Sequence, residues 1–126
     1  MTPAEFRRLA LSLPGTLEKA HMGHPDFRVG RKIFATLGYP DSSHGTVMVK
    51  PHEQDLLVKE HPRSFTPVSG AWGRAGATSV KLSTASRRAV ALALESAWHR
   101  RAPAKLLAEH RIEKAPATAR ARRGAV

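Results

Sequence analysis

The amino-acid sequence predicts an α+β domain: one antiparallel sheet, with an N-terminal and a C-terminal helix packed on the same face. Three observations predict it. Helical periodicity occurs near the two ends and in one short stretch between them. The middle of the chain alternates in the manner of strands. The changes of pattern fall on proline or glycine.

Thr2-Pro3-Ala4-Glu5 has the form of a capping box, with Thr2 as N-cap, Pro3 at the first helical position and Glu5 reaching back. Phe6, Leu9, Ala10 and Leu13 then share one face, and Leu-Pro-Gly stops the helix at Pro14. The spacing predicts a helix from Pro3 to Leu13, with Arg7 and Arg8 toward solvent. Leu17 to Met22 supplies a first strand. Phe27 to Val29 and Lys32 to Leu37 flank Gly30-Arg31, where a glycine at the first central position suits a type II′ hairpin turn.

Tyr39 to Gly45 reads as a turn-rich connection, and Thr46 to Lys50 as a strand. His52 to Glu60 reads as a short helix between Pro51 and Pro62, with Glu53 and Asp55 placed to suit the helix dipole. Thr78 to Leu82 is a further strand. The last long helix, capped by Ser83 or Thr84, buries a stripe of Ala89 or Val90, Ala93, Leu94, Ala97 and Trp98, and breaks at Ala102-Pro103. Ala104 to His110 adds another turn or two. The domain is therefore placed at residues 1–110, and residues 111–126 are expected to be a disordered basic tail, with little to bury.

With 126 residues, of which 41% are hydrophobic and 25% charged, the chain has material for one core. It contains no cysteine, which excludes disulfides, thiolate catalysis and cysteine-ligated zinc. No signal-like segment opens the chain. The longest apolar run, Ala89 to Leu94, is far too short to span a bilayer, so a cytoplasmic protein with no membrane partner is expected. The outlying property is charge: 21 Lys+Arg against 10 Asp+Glu give +11. Residues 111–126 hold five basic residues and one acidic, leaving +7 on residues 1–110. The domain itself is cationic, which favours polyanionic partners.

Four constellations bear on chemistry. His21, His24 and Asp26 have side chains able to bind a metal, but their spacing matches no closed site. A turn at His24-Pro25-Asp26, with Asp26 bonded to nearby backbone, is the preferred reading. Arg28, Arg31 and Lys32 surround the Gly30 turn, so the hairpin reads either as a cationic ribbon that meets phosphate or as a charged edge that resists aggregation. In Gly70-Ala71-Trp72-Gly73-Arg74-Ala75-Gly76, packing is the preferred role for Trp72, while Arg74 is the residue available to a partner. Arg87 and Arg88 fall in the first turn of the last helix, where cations oppose the dipole and, with free N–H groups, can seat an anion. No nucleophile–base pair, P-loop or dinucleotide fingerprint is present.

Three stretches together resemble the MmcQ/YjbR family of small bacterial proteins: ALSLPGTLEKAHMGHPDFRVGRKIFATL at 10–37, FTPVSGAWGRAGATSVKL at 65–82 and AWHRRAPAKL at 97–106. The resemblance implies a CyaY/frataxin-like fold, an antiparallel sheet with two helices on one face, and DNA binding through hairpins likened to a double wing. It supplies no catalytic residue. The iron role associated with frataxins is not expected here, because the first helix offers only Glu5 beside Arg7 and Arg8 on a cationic domain.

The sequence expectation is a non-catalytic, monomeric DNA-binding module with no metal and no cofactor, touching phosphates through Arg28, Arg31, Lys32, Arg74, Arg87 and Arg88. The runner-up is a small-anion binder or enzyme whose pocket combines the Trp72/Arg74 loop with His21 and His24. Third is an interaction module for an acidic protein.

Overall fold

The computed structural model describes residues 1–113. Helix α1 (Pro3–Leu11) starts as expected, with Thr2 Oγ1 accepting the Glu5 N–H at 3.1 Å, and ends two residues before the predicted Leu13. Strand β1 (Thr16–His21) follows and turns through Met22-Gly23 into β2 (His24–Val29). Both turn residues have positive φ, 51° and 82°, and His21 pairs with His24 across them. This corrects the turn predicted at His24-Pro25-Asp26: the reversal lies one step earlier, and those three residues open a strand. The second reversal, Gly30-Arg31, also has positive φ at both residues, 56° and 70°. It is thus of type I′, not II′, the turn whose twist matches its flanking strands.

β3 (Lys32–Leu37) and β4 (His44–Met48) continue the sheet, and α2 (Pro51–Glu60) leads to two elements absent from the sequence reading: β5 (Phe65–Pro67) and α3 (Gly70–Arg74). β5 has three residues, too few for alternation to show. β6 (Ala77–Lys81) precedes α4 (Arg87–Arg101) and α5 (Ala104–Glu113). The cap of α4 is Ser86, whose side chain accepts the Ala89 N–H; Thr84 instead donates to the Arg63 carbonyl. α5 runs three residues past the boundary predicted at His110; the rest of the predicted tail lies outside the described residues.

The six strands form one antiparallel sheet in the order β1-β2-β3-β4-β6-β5, an α+β architecture. α1 and α4 lie against each other and against β3 and β4. Between helices and sheet sits the core, in which Phe6, Phe27, Phe34, Phe65, Val90, Leu94 and Trp98 are fully or almost fully buried. Phe6 and Phe27 rings meet at 6.1 Å. Trp98, on the stripe predicted for the last helix, donates from Nε1 to the Pro14 carbonyl at 2.9 Å, which ties α4 to the end of α1 while satisfying the buried indole N–H.

The pairing of β2 with β3 slips between Phe27 and Arg28: Phe27 stands opposite Ala35, and Arg28 opposite Ile33. One extra residue on β3 places Phe34 and Ala35 together on the core side, so Ile33 and Thr36 both face away from the helices. That bulge widens the apolar content of the face the helices leave open.

Candidate binding groove on the open face of the sheet

On the face opposite α1 and α4, the register aligns Lys19, Asp26, Thr36, Thr46 and Ser79 in one row across five strands, with Leu17, Arg28 and Ile33 in the next. The β1–β3 part of this face is concave. The groove measures about 670 Å³, within the range of small-ligand sites. Its apolar lining comes from Ile33, Met48, Tyr39 and Trp72, and its cationic lining from Arg28, Arg31, Lys32 and Arg101.

Each wall has a local cause. Trp72 comes from α3, a one-and-a-half-turn helix pinned from beneath. Buried Gln54 on α2 donates from Nε2 to the carbonyls of Gly73 and Ala77, both at 2.9 Å. Gly73 lies so close to Val68 that a Cβ there would fall 1.5 Å from the Val68 carbonyl oxygen, so only glycine permits the seat. The result holds Trp72 at 41% exposure. This corrects the packing role expected of it: Trp98 fills the core, and Trp72 presents its ring to the groove. Tyr39, 49% exposed, stands on the connection after β3.

The four cations differ in availability. Arg28 is bound to Asp26 by two hydrogen bonds, Nε to Oδ1 at 2.8 Å and Nη2 to Oδ2 at 3.1 Å. Asp26 is only 1% exposed, and its hydrogen bonding raises the Arg28 pKa above the ordinary arginine value. Asp26 therefore bonds Arg28, not the backbone predicted for it, and Arg28 is already occupied. Arg31 and Lys32 make no side-chain hydrogen bond or ion pair among the described residues. Arg101, in the last turn of α4, has a buried Nε without a hydrogen-bond partner. Burial, and next the charge of Arg100, lower its pKa from the ordinary value. An anion beside Arg101 would relieve both effects. Arg100 itself is consumed, donating to the carbonyls of Val49 and Ala75.

The structure thus gathers seven of the predicted residues: His21, His24, Asp26, Arg28, Arg31, Lys32 and Trp72 all line one groove. It separates three others. Arg74 ends α3 but is not part of the lining. Arg87 and Arg88 open α4, and Pro103, just past its other end, packs against Gly30 of the β2–β3 turn. A helix of 15 residues puts them about 20 Å from the groove end of α4. Of the six phosphate contacts expected from sequence, Arg28, Arg31 and Lys32 line the groove, and Arg74, Arg87 and Arg88 do not. His21, His24 and Asp26 do not bring ligand atoms into a metal-sized cluster among the described residues. Sequence reading missed Tyr39 and Arg101; the HRR run before Ala102-Pro103 was the available signal for the latter.

These features define a class: a small α+β domain with one helix-covered sheet face and one open face that carries a cationic, aromatic groove. The family model described as YjbR matches residues 11–100, so the chain belongs to the YjbR family. Among solved structures it is similar to the Deinococcus radiodurans protein DR2400, a DUF419 domain protein, with a TM-score of 0.65 and 20% identity over 77% of this chain and 75% of that one. That likeness concerns the fold. No curated protein matches the chain. Among the described residues, no helix is long and apolar enough to cross a membrane.

Proposed function

We propose that the groove binds nucleic acid as an unpaired strand, with bases on Trp72 and Tyr39 and phosphates on Arg31, Lys32 and Arg101. The observation that carries this reading is the juxtaposition of two half-exposed aromatic rings with an arginine whose buried Nε has no hydrogen-bond partner, in one groove. Every base offers a π-face to such rings, and open sheet faces with aromatic and basic side chains suit splayed strands. The geometry favours this over a wing inserted into a duplex, because Gly30 at the hairpin tip packs on Pro103 and Arg28 is engaged by Asp26.

Fluorescence anisotropy with labelled single- and double-stranded oligonucleotides tests the proposal. Three phosphate contacts on single strands predict a slope of log K against log salt of about −2. Replacing Trp72 by alanine should weaken single-strand binding by about 5- to 150-fold, the usual worth of one stacked base. Equal binding of duplex and single strand, unaffected by that substitution, would refute it.

A second reading is a single small anion with a flat apolar portion, favoured by the groove volume. Oligonucleotide length separates the two: strand binding tightens beyond a mononucleotide, whereas a pocket for one small anion saturates at that size.

A further inference from the structure

On the helix side of the molecule, three side chains outside the groove lining converge between α4 and α5. Glu95 and His99 lie one turn apart on α4, and His110 reaches in from α5. One ligand atom from each falls within 4.8 Å of the other two. His99 Nε2 is 3.9 Å from Glu95 Oε1, and His110 Nε2 is 3.5 Å from the same oxygen.

His110 is the informative member. Its side chain is 6% exposed, and its Nε2 is buried with no hydrogen-bond partner although it points at the carboxylate. A buried ring nitrogen left without a partner costs free energy that an added ligand would recover. Trp98 fixes the two rings, its own ring lying 5.3 Å from that of His99 and 4.7 Å from that of His110. A small cavity of about 190 Å³, lined by Leu9, Ser12, Leu13, Ala91, Glu95 and His110, adjoins the cluster.

We infer that Glu95, His99 and His110 form a binding site for one divalent first-row transition ion, independent of the groove. Two imidazoles and a carboxylate are the donor set that zinc, nickel, cobalt and ferrous ions accept. Ligand bonds of about 2.0–2.1 Å place donors of a tetrahedral ion about 3.3 Å apart. The His110–Glu95 distance is already close to that, and His99, 43% exposed, has room to close the remainder. The adjoining cavity leaves space for water in the fourth position. The ion would staple α5 to α4, adding coordination to the packing of Leu106 and Leu107 against the core.

Calorimetric titration of the untagged 126-residue chain with Zn2+ tests the site. One ion per chain is expected, with a rise in the unfolding temperature. His99→Gln, at an exposed position that leaves the fold intact, and the isosteric Glu95→Gln should each weaken binding by more than the ~10- to 100-fold typical of losing a supporting contact to a ligand. In a Trp72→Phe chain, Ni2+ should quench the emission of Trp98, the remaining tryptophan, which contacts both histidine rings. A chain carrying His21→Asn and His24→Asn should bind as the wild type does. Absence of saturable Zn2+ binding overturns the site. So does binding that survives His99→Gln and Glu95→Gln, or that disappears with His21 and His24.

Discussion

Replacing Gln54 by methionine isolates the device that positions Trp72. The side chain keeps its volume but loses two hydrogen bonds, to the carbonyls of Gly73 and Ala77. Each carbonyl retains a backbone donor, Gly76 N–H for Gly73 and Val68 N–H for Ala77, so neither becomes an orphan. The loss is then that of two net hydrogen bonds, about 0.5–1.5 kcal/mol each, or about 1–3 kcal/mol together. For a chain of this length the unfolding temperature should fall by about 4–11 °C. The specific signature lies at Trp72. Trp98 is buried, so acrylamide reports chiefly on Trp72, and quenching should increase in the variant as α3 loosens. Single-strand affinity should fall with it, because a ring that wanders stacks less well. An unchanged unfolding temperature with unchanged quenching would show that Gln54 does not hold α3, and the account of the groove wall would fail.

Replacing Arg87 and Arg88 together by glutamine should leave oligonucleotide affinity and its salt slope within error of the wild type, since both residues lie at the far end of α4 from the groove; a slope shallower by one or more places them in the interface. Asp26→Asn should release Arg28 into the groove, steepening the single-strand salt slope by about 0.7 while lowering the urea midpoint; a weaker, shallower binding curve contradicts that assignment. Asp41 accepts hydrogen bonds from the Ser43 hydroxyl, His44 and the Ser43 N–H, in that order of importance, and its pKa falls from 3.8 to about 2. Because the folded value is depressed, the turn's contribution is present above pH 3.8 and lost as pH falls toward 2. The urea midpoint should therefore drop more steeply across that window in the wild type than in Asp41→Asn; parallel curves would discount the turn.

What the sequence determined by itself is the part written in local signals. Thr2 and Pro3 announce the start of α1, the stripe through Ala93, Leu94, Ala97 and Trp98 announces the face of α4, and Gly30-Arg31 marks a hairpin. Each is fixed within a few residues by periodicity, capping or turn chemistry, so each could be read without the fold. The net charge and the resemblance to the YjbR family were legible in the same way.

Tertiary structure decided what depends on residues distant in the chain. Trp72 and Trp98 are equally apolar, and only the packing of α4 on the sheet makes one core and the other groove wall. Arg28 and Arg31 are equally cationic, yet burial of Asp26 occupies the first and leaves the second without such a partner. His110 meets Glu95 only because α5 folds back on α4, a contact across a helix break that no spacing encodes. Charge and residue type are properties of the chain, whereas exposure and pairing are set by what the fold brings alongside.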